Sequence, residues 1–167
     1  MTRRVRVKIC GVTTFEAIEA AIEKEQVSQV FYTKSAGLAV APGVKELFKE
    51  LKADEVSHER MLRNVLGDIK NGKLPSTTAK ITPKDLLSRK GLRLFSKRDI
   101  PKTTTTYKEA LLIAMTREED SWEDYSTLAQ LSLPQTLQDL FSLLAQVEAG
   151  HLRRLEHLYE RDFVKGH

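Results

Sequence analysis

Six residues in this 167-residue chain have the types and spacing to hold metal ions. Glu55 and His58 stand three apart in "ADEVSHERM", and Glu148 and His151 stand three apart in "QVEAGHLRR". Positions i and i+3 of a helix share a face one turn apart, so each carboxylate and its imidazole can serve one centre. Two single glutamates complete the set. Glu25 precedes the first pair by 30 residues (55 − 25), and Glu118 precedes the second by the same 30 (148 − 118).

All six sit on stripes that are otherwise apolar or small. Ile18, Ala21, Glu25, Ser28, Tyr32 and Ser35 follow one another at steps of three and four, as do Phe48, Leu51, Glu55, His58 and Leu62. The same holds for Leu111, Ala114, Glu118, Ser121, Tyr125 and Leu128, and for Phe141, Leu144, Glu148, His151, Leu155 and Leu158. Such stripes face the interior of a helical bundle. A buried, unpaired carboxylate costs several kcal/mol, so it needs a proton, a basic partner or a metal. No Lys or Arg occupies these stripes near the glutamates. Four carboxylates are balanced by two divalent cations with the histidines neutral, which is the state that ligates metal. An oxygen and imidazole donor set suits iron or manganese, and zinc can also occupy it.

The elements that must position these residues are four helices, expected over about Thr14–Ala39, Val44–Leu66, Tyr107–Leu131 and Pro134–Phe163. Thr13 or Thr14 caps the first, Pro42-Gly43 turns the chain, and Gly67 and Gly72 close the second. Residues 67–106 form a long connection in which "TPKDLLSRK" reads as a short helix, capped by Thr82 with Pro83 at its first position. "VRVKI" near the start is a short strand or a tail. Two tight helical hairpins joined by a long crossover describe an all-α, ferritin-like four-helix bundle over 14–163, flanked by tails at 1–13 and 164–167.

The two hairpins are copies. Shifting the chain by 93 residues aligns 16–66 with 109–159 without a gap, with 15 identities in 51 positions. The matched pairs include Glu25/Glu118, Ser28/Ser121, Tyr32/Tyr125, Phe48/Phe141, Leu51/Leu144, Glu55/Glu148, His58/His151 and Leu62/Leu155. One glutamate from each of two helices and Glu-x-x-His from each of the other two is the ligand set of di-iron and di-manganese carboxylate bundles.

With these motifs the chain resembles the rubrerythrin branch of the ferritin-like superfamily. "EKEQVSQVFY" and "TREEDSWEDY" are similar to its E-x6-Y helix motif, and "DEVSHE" and "VEAGH" to its E-x-x-H motif; together they cover residues 15–66 and 107–163. The resemblance implies that Glu25, Glu55, His58, Glu118, Glu148 and His151 bind two iron ions, bridged by Glu55 and Glu148. It also implies reaction with peroxide or dioxygen, and a homodimer. Tyr32 and Tyr125, with Ser28 and Ser121, are expected in the layer around the ligands, where a hydrogen bond can orient a carboxylate. Two departures from the family pattern stand out. Ser121, with its twin Ser28, occupies the place of an extra glutamate, which makes the site a near-symmetric one of six ligands. Cys10 is the sole cysteine, so the chain lacks the Cys-x-x-Cys pairs of a rubredoxin domain, and electrons are expected from an external donor.

Composition excludes several alternatives. A net charge of +4 without an aromatic and basic stripe argues against a nucleic-acid partner. No apolar run approaches the roughly 18 residues that span a bilayer, which argues against a membrane protein. One cysteine excludes an internal disulfide and fits a reducing cytoplasm. "VRVKICGVT" resembles the opening strand of phosphoribosylanthranilate isomerase, but the chain lacks the alternating strands of a barrel of about 250 residues. Tyr107 and Trp122 are expected in core or dimer contacts, while His157 and His167 fall off the ligand stripes. Three functions fit: a di-iron oxidoreductase consuming peroxide or dioxygen, a ferroxidase that handles iron, and a non-enzymatic metal-stabilised bundle.

Overall fold

The computed structural model describes residues 12–39, 42–75, 78–79, 106–131 and 133–164. Four helices hold most of them: α1 (Thr14–Leu38), α2 (Pro42–Lys70), α3 (Tyr107–Ala129) and α4 (Gln135–Phe163). α1 packs along α2 and α3 along α4, giving two hairpins joined between Lys70 and Tyr107. Two two-residue strands, β1 (Val12–Thr13) and β2 (Thr78–Ala79), pair antiparallel, with Val12 opposite Ala79 and Thr13 opposite Thr78. The start of the connection is thereby tied to the chain just before α1. The expected strand at "VRVKI", Cys10, the short helix at Thr82–Pro83 and His167 lie outside the described residues. No helix among the described residues is long and apolar enough to cross a membrane.

The repeat extends to the helix caps. Thr13 Oγ1 accepts from the Glu16 backbone N–H at 3.1 Å while the Glu16 carboxylate accepts from Thr13 N–H at 2.9 Å. Thr106 and Glu109, 93 residues on, form the same reciprocal box at 3.3 and 2.8 Å. Each box satisfies two of the amide donors that a helix start leaves open.

Helix limits differ from expectation chiefly in α2. It begins at Pro42, whose missing N–H is harmless in a first turn, and it runs through Gly67 to Lys70. Glycine inside a helix costs about 1 kcal/mol relative to alanine. The extra turn places Ile69 in the core, burial that offsets that cost. Gly72 is the residue that turns the chain, at φ 70°.

Every helix threads two separate apolar clusters. One contains Ile18, Ala21, Leu62, Leu66, Ile69, Tyr125, Leu128, Leu137, Phe141 and Leu144. The other contains Phe31, Tyr32, Phe48, Leu51, Ala110, Leu111, Ala114, Leu155 and Leu158. Glu25 and Ser28 on α1, Glu55 and His58 on α2, Glu118 and Ser121 on α3, and Glu148 and His151 on α4 are buried between them. The 93-residue shift carries Phe48 onto Phe141, Tyr32 onto Tyr125 and Leu62 onto Leu155, so it exchanges the two clusters. The polar layer maps onto itself. The bundle is thus two apolar plugs with a charged disc between them.

Candidate metal centre

The disc is built from all four helices: Glu25 on α1, Glu55 and His58 on α2, Glu118 on α3, Glu148 and His151 on α4. The four glutamates are 1–2% exposed and the two histidines 3–4%. Their atoms fall into two overlapping groups. Glu25, Glu55, His58 and Glu148 offer donor atoms within 4.8 Å of one another, as do Glu55, Glu118, Glu148 and His151. Glu55 and Glu148 belong to both groups.

The Nδ1 atom of each histidine faces the centre. His58 Nδ1 lies 3.1 Å from Glu55 Oε2, 3.2 Å from Glu148 Oε1 and 3.7 Å from Glu25 Oε2. His151 Nδ1 lies 3.2 Å from Glu148 Oε2 and 3.3 Å from Glu118 Oε2. The two imidazoles are nearly parallel, 5.9 Å between centroids at 20°. Donor atoms about 2.1 Å from one ion and at right angles stand about 3 Å apart, close to the separations seen here. Glu118 Oε2 and Glu148 Oε1 are buried without a hydrogen bond despite those neighbours. Such atoms are costly unless something else satisfies them, and a cation between the carboxylates does so. The residues therefore fit two metal ions.

Without metal, protons must neutralise the disc. Burial and then the Glu148 and Glu25 carboxylates raise the Glu55 carboxyl well above the usual range. Burial and Glu148 raise Glu118 to about 8. Burial alone would lower both imidazoles, but the neighbouring carboxylates outweigh it, Glu148 and Glu25 around His58 and Glu118 and Glu148 around His151; each rises to about 10. For Glu148 burial acts upward, yet Glu118, His151 and His58 beside it hold it below the ordinary carboxylate range. The metal-free disc is a proton-filled network around an ionised Glu148.

The tyrosines cross the bundle. Tyr32 on α1 donates its hydroxyl to Glu118 Oε1 on α3, and Tyr125 on α3 donates to Glu25 Oε1 on α1. Each fully buried phenol thus holds the glutamate of the other hairpin. Ser28 and Ser121 are buried beside the disc, but the Ser28 hydroxyl accepts from Arg117 Nη2 at 3.0 Å rather than meeting a glutamate.

Three features escaped the sequence reading. Asp54 Oδ2 lies 3.1 Å from His151 Nε2, on the side of the ring away from the disc. Lys24 pairs with the buried Asp124 and donates to Asp120 O at 3.1 Å. Its counterpart at +93, Arg117, lies 5.0 Å over the Phe31 ring. Lys24 and Arg117 each sit one position before a stripe glutamate and fold across the seam between α1 and α3. The contacts span 97, 100 and 86 residues respectively (151 − 54, 124 − 24, 117 − 31), and no local pattern signals them. Trp122 is not a core residue, being 42% exposed. Tyr107 packs against Phe163 and donates to Asp162 at 2.8 Å.

Two antiparallel hairpins closed around four buried glutamates and two histidines define a ferritin-like bundle with a carboxylate and histidine cluster suited to metal. The family model for rubrerythrin matches residues 16–159, most of the chain, and the chain belongs to that family. No curated protein and no solved structure gives a significant match.

Proposed function

We propose that the chain is a di-iron oxidoreductase that reduces hydrogen peroxide or dioxygen with electrons from an external donor, and that it works as a homodimer. The observation that carries the reading is the pair of four-residue groups that share Glu55 and Glu148. Glu25, Glu55, His58 and Glu148 would hold one ion, and Glu55, Glu118, Glu148 and His151 the other. Two irons held by these residues would supply two electrons at one place, the number that reduction of peroxide consumes: H2O2 with two electrons and two protons gives two waters. The protein's own share is positional. Two apolar clusters exclude water from either side of the disc. Tyr32 and Tyr125 fix the outer carboxylates of Glu118 and Glu25, so the ligands are oriented before metal arrives. Iron is favoured by the family and by the oxygen and nitrogen donors, with manganese or zinc able to occupy the same atoms.

The test is anaerobic loading with two ferrous ions per chain followed by one equivalent of peroxide. Peroxide should disappear within the mixing time or soon after, with a near-ultraviolet absorption band that Glu55→Ala lacks. Loaded protein that leaves peroxide unconsumed would refute the reading. Iron accumulating far beyond two per chain would instead mark an iron-handling protein.

A further inference from the structure

The two halves of the disc are copies, so each acts as a control for the other, and they differ in what meets the outer nitrogen of the histidine. Asp54 accepts from Nε2 of His151 at 3.1 Å. The 93-residue shift carries His151 back to His58 and Asp54 forward to position 147, which is Val147. Val147 is half-buried and has no polar atom to offer. No hydrogen bond to Nε2 of His58 is found among the described residues.

We infer that the two metal positions are unequal, and that Asp54 makes the one at Glu118 and His151 the tighter. The inference rests on the two-metal reading above. A carboxylate that accepts from Nε2–H settles which ring nitrogen carries the proton. It leaves the Nδ1 lone pair for metal and fixes the ring plane. It also makes the imidazole a better electron donor. His58 must settle its tautomer and orientation from the packing around it. Removing such an outer hydrogen bond costs 10–100-fold in metal affinity. The Asp54 side chain is 46% exposed, so the low end, about 10-fold, is the expected size. The halves also differ at the seam between α1 and α3, where Lys24 meets Asp124 and Arg117 lies over Phe31. A substitution at Asp54 isolates the histidine contribution from that one.

Crystals of the full chain prepared with one equivalent of manganese(II), and again with two, give anomalous peak heights for each position. With one equivalent, the peak beside Glu118 and His151 should dominate. Asp54→Ala should lower affinity at that position about 10-fold and even out the peaks, and Asp54→Asn, which still accepts a hydrogen bond, should restore part of the difference. Val147→Asp should strengthen the His58 position and even out the peaks from the other side. Manganese titration in solution should show the tighter binding step weakened in Asp54→Ala and the looser step strengthened in Val147→Asp. Equal peaks in the unaltered protein at one equivalent, a dominant peak beside His58, or indifference to both substitutions would overturn the inference and leave the two-metal reading standing. No ion at either position with two equivalents would overturn both.

Discussion

Loading the disc with two divalent ions should expel protons in a number set by the structure. At pH 7 His58 and His151, raised to about 10, each hold a proton on the buried ring. Glu118, raised to about 8, is mostly protonated at that pH, and burial and the Glu148 carboxylate push Glu55 in the same direction. Metal needs the Nδ1 lone pairs and ionised carboxylates, so the protons on His58, His151 and Glu118 must leave. Each displaced proton changes the apparent binding free energy by about 1.4 kcal/mol per pH unit. Release of two to three protons per pair of ions therefore makes the overall constant rise about 10²- to 10³-fold per pH unit near neutrality. The assay is manganese(II) added to weakly buffered, metal-free protein with an indicator dye, repeated by calorimetry in buffers of different ionisation enthalpy. Release of less than one proton per pair, or an affinity flat from pH 6 to 8, would refute the picture of a proton-neutralised disc.

The metal-free protein should lose stability as pH rises. The folded-state values of His58 and His151 lie above the unfolded 6.5, so their contribution is complete below about 6.5 and is lost toward 10; Glu118 behaves alike between 4.5 and about 8. Melting temperature measured from pH 5 to 10 should fall without metal, and a rise would contradict the sign. Tyr32→Phe and Tyr125→Phe each remove the donor to a buried glutamate and should cost about 1–3 kcal/mol in urea unfolding of the metal-free protein, by similar amounts because the sites are copies. Losses under 0.5 kcal/mol for both would mean the phenols do not hold Glu118 and Glu25. Phe48→Ala and Phe141→Ala empty equivalent positions in the two apolar clusters and should each cost about 3–5 kcal/mol; a large cost at one and none at the other would deny that both clusters are packed cores.

Much of the site was legible because helical periodicity sorts residues by face. Glu25, Glu55, His58, Glu118, Glu148 and His151 were read from stripes, and the structure brings all six into one disc. The repeat strengthened that reading, since a fold used twice puts equal positions in equal places. The end of α2 was misread. Gly67 looked like a terminator, but the burial of Ile69 just beyond it outweighs a glycine's local preference.

The amino-acid order by itself determined which side chains face inward, how the chain repeats and that four carboxylates must share an interior with little else to balance them. Those properties depend on spacing along one helix, which the sequence records directly. Only the tertiary structure decided which inward residues meet. It crossed Tyr32 to Glu118 and Tyr125 to Glu25, split the core into two plugs, and set Asp54 against His151 while its counterpart became Val147. Those contacts depend on the register and rotation of one helix against another. That register is fixed by the packing of all the buried side chains together, and no single stretch of sequence contains it.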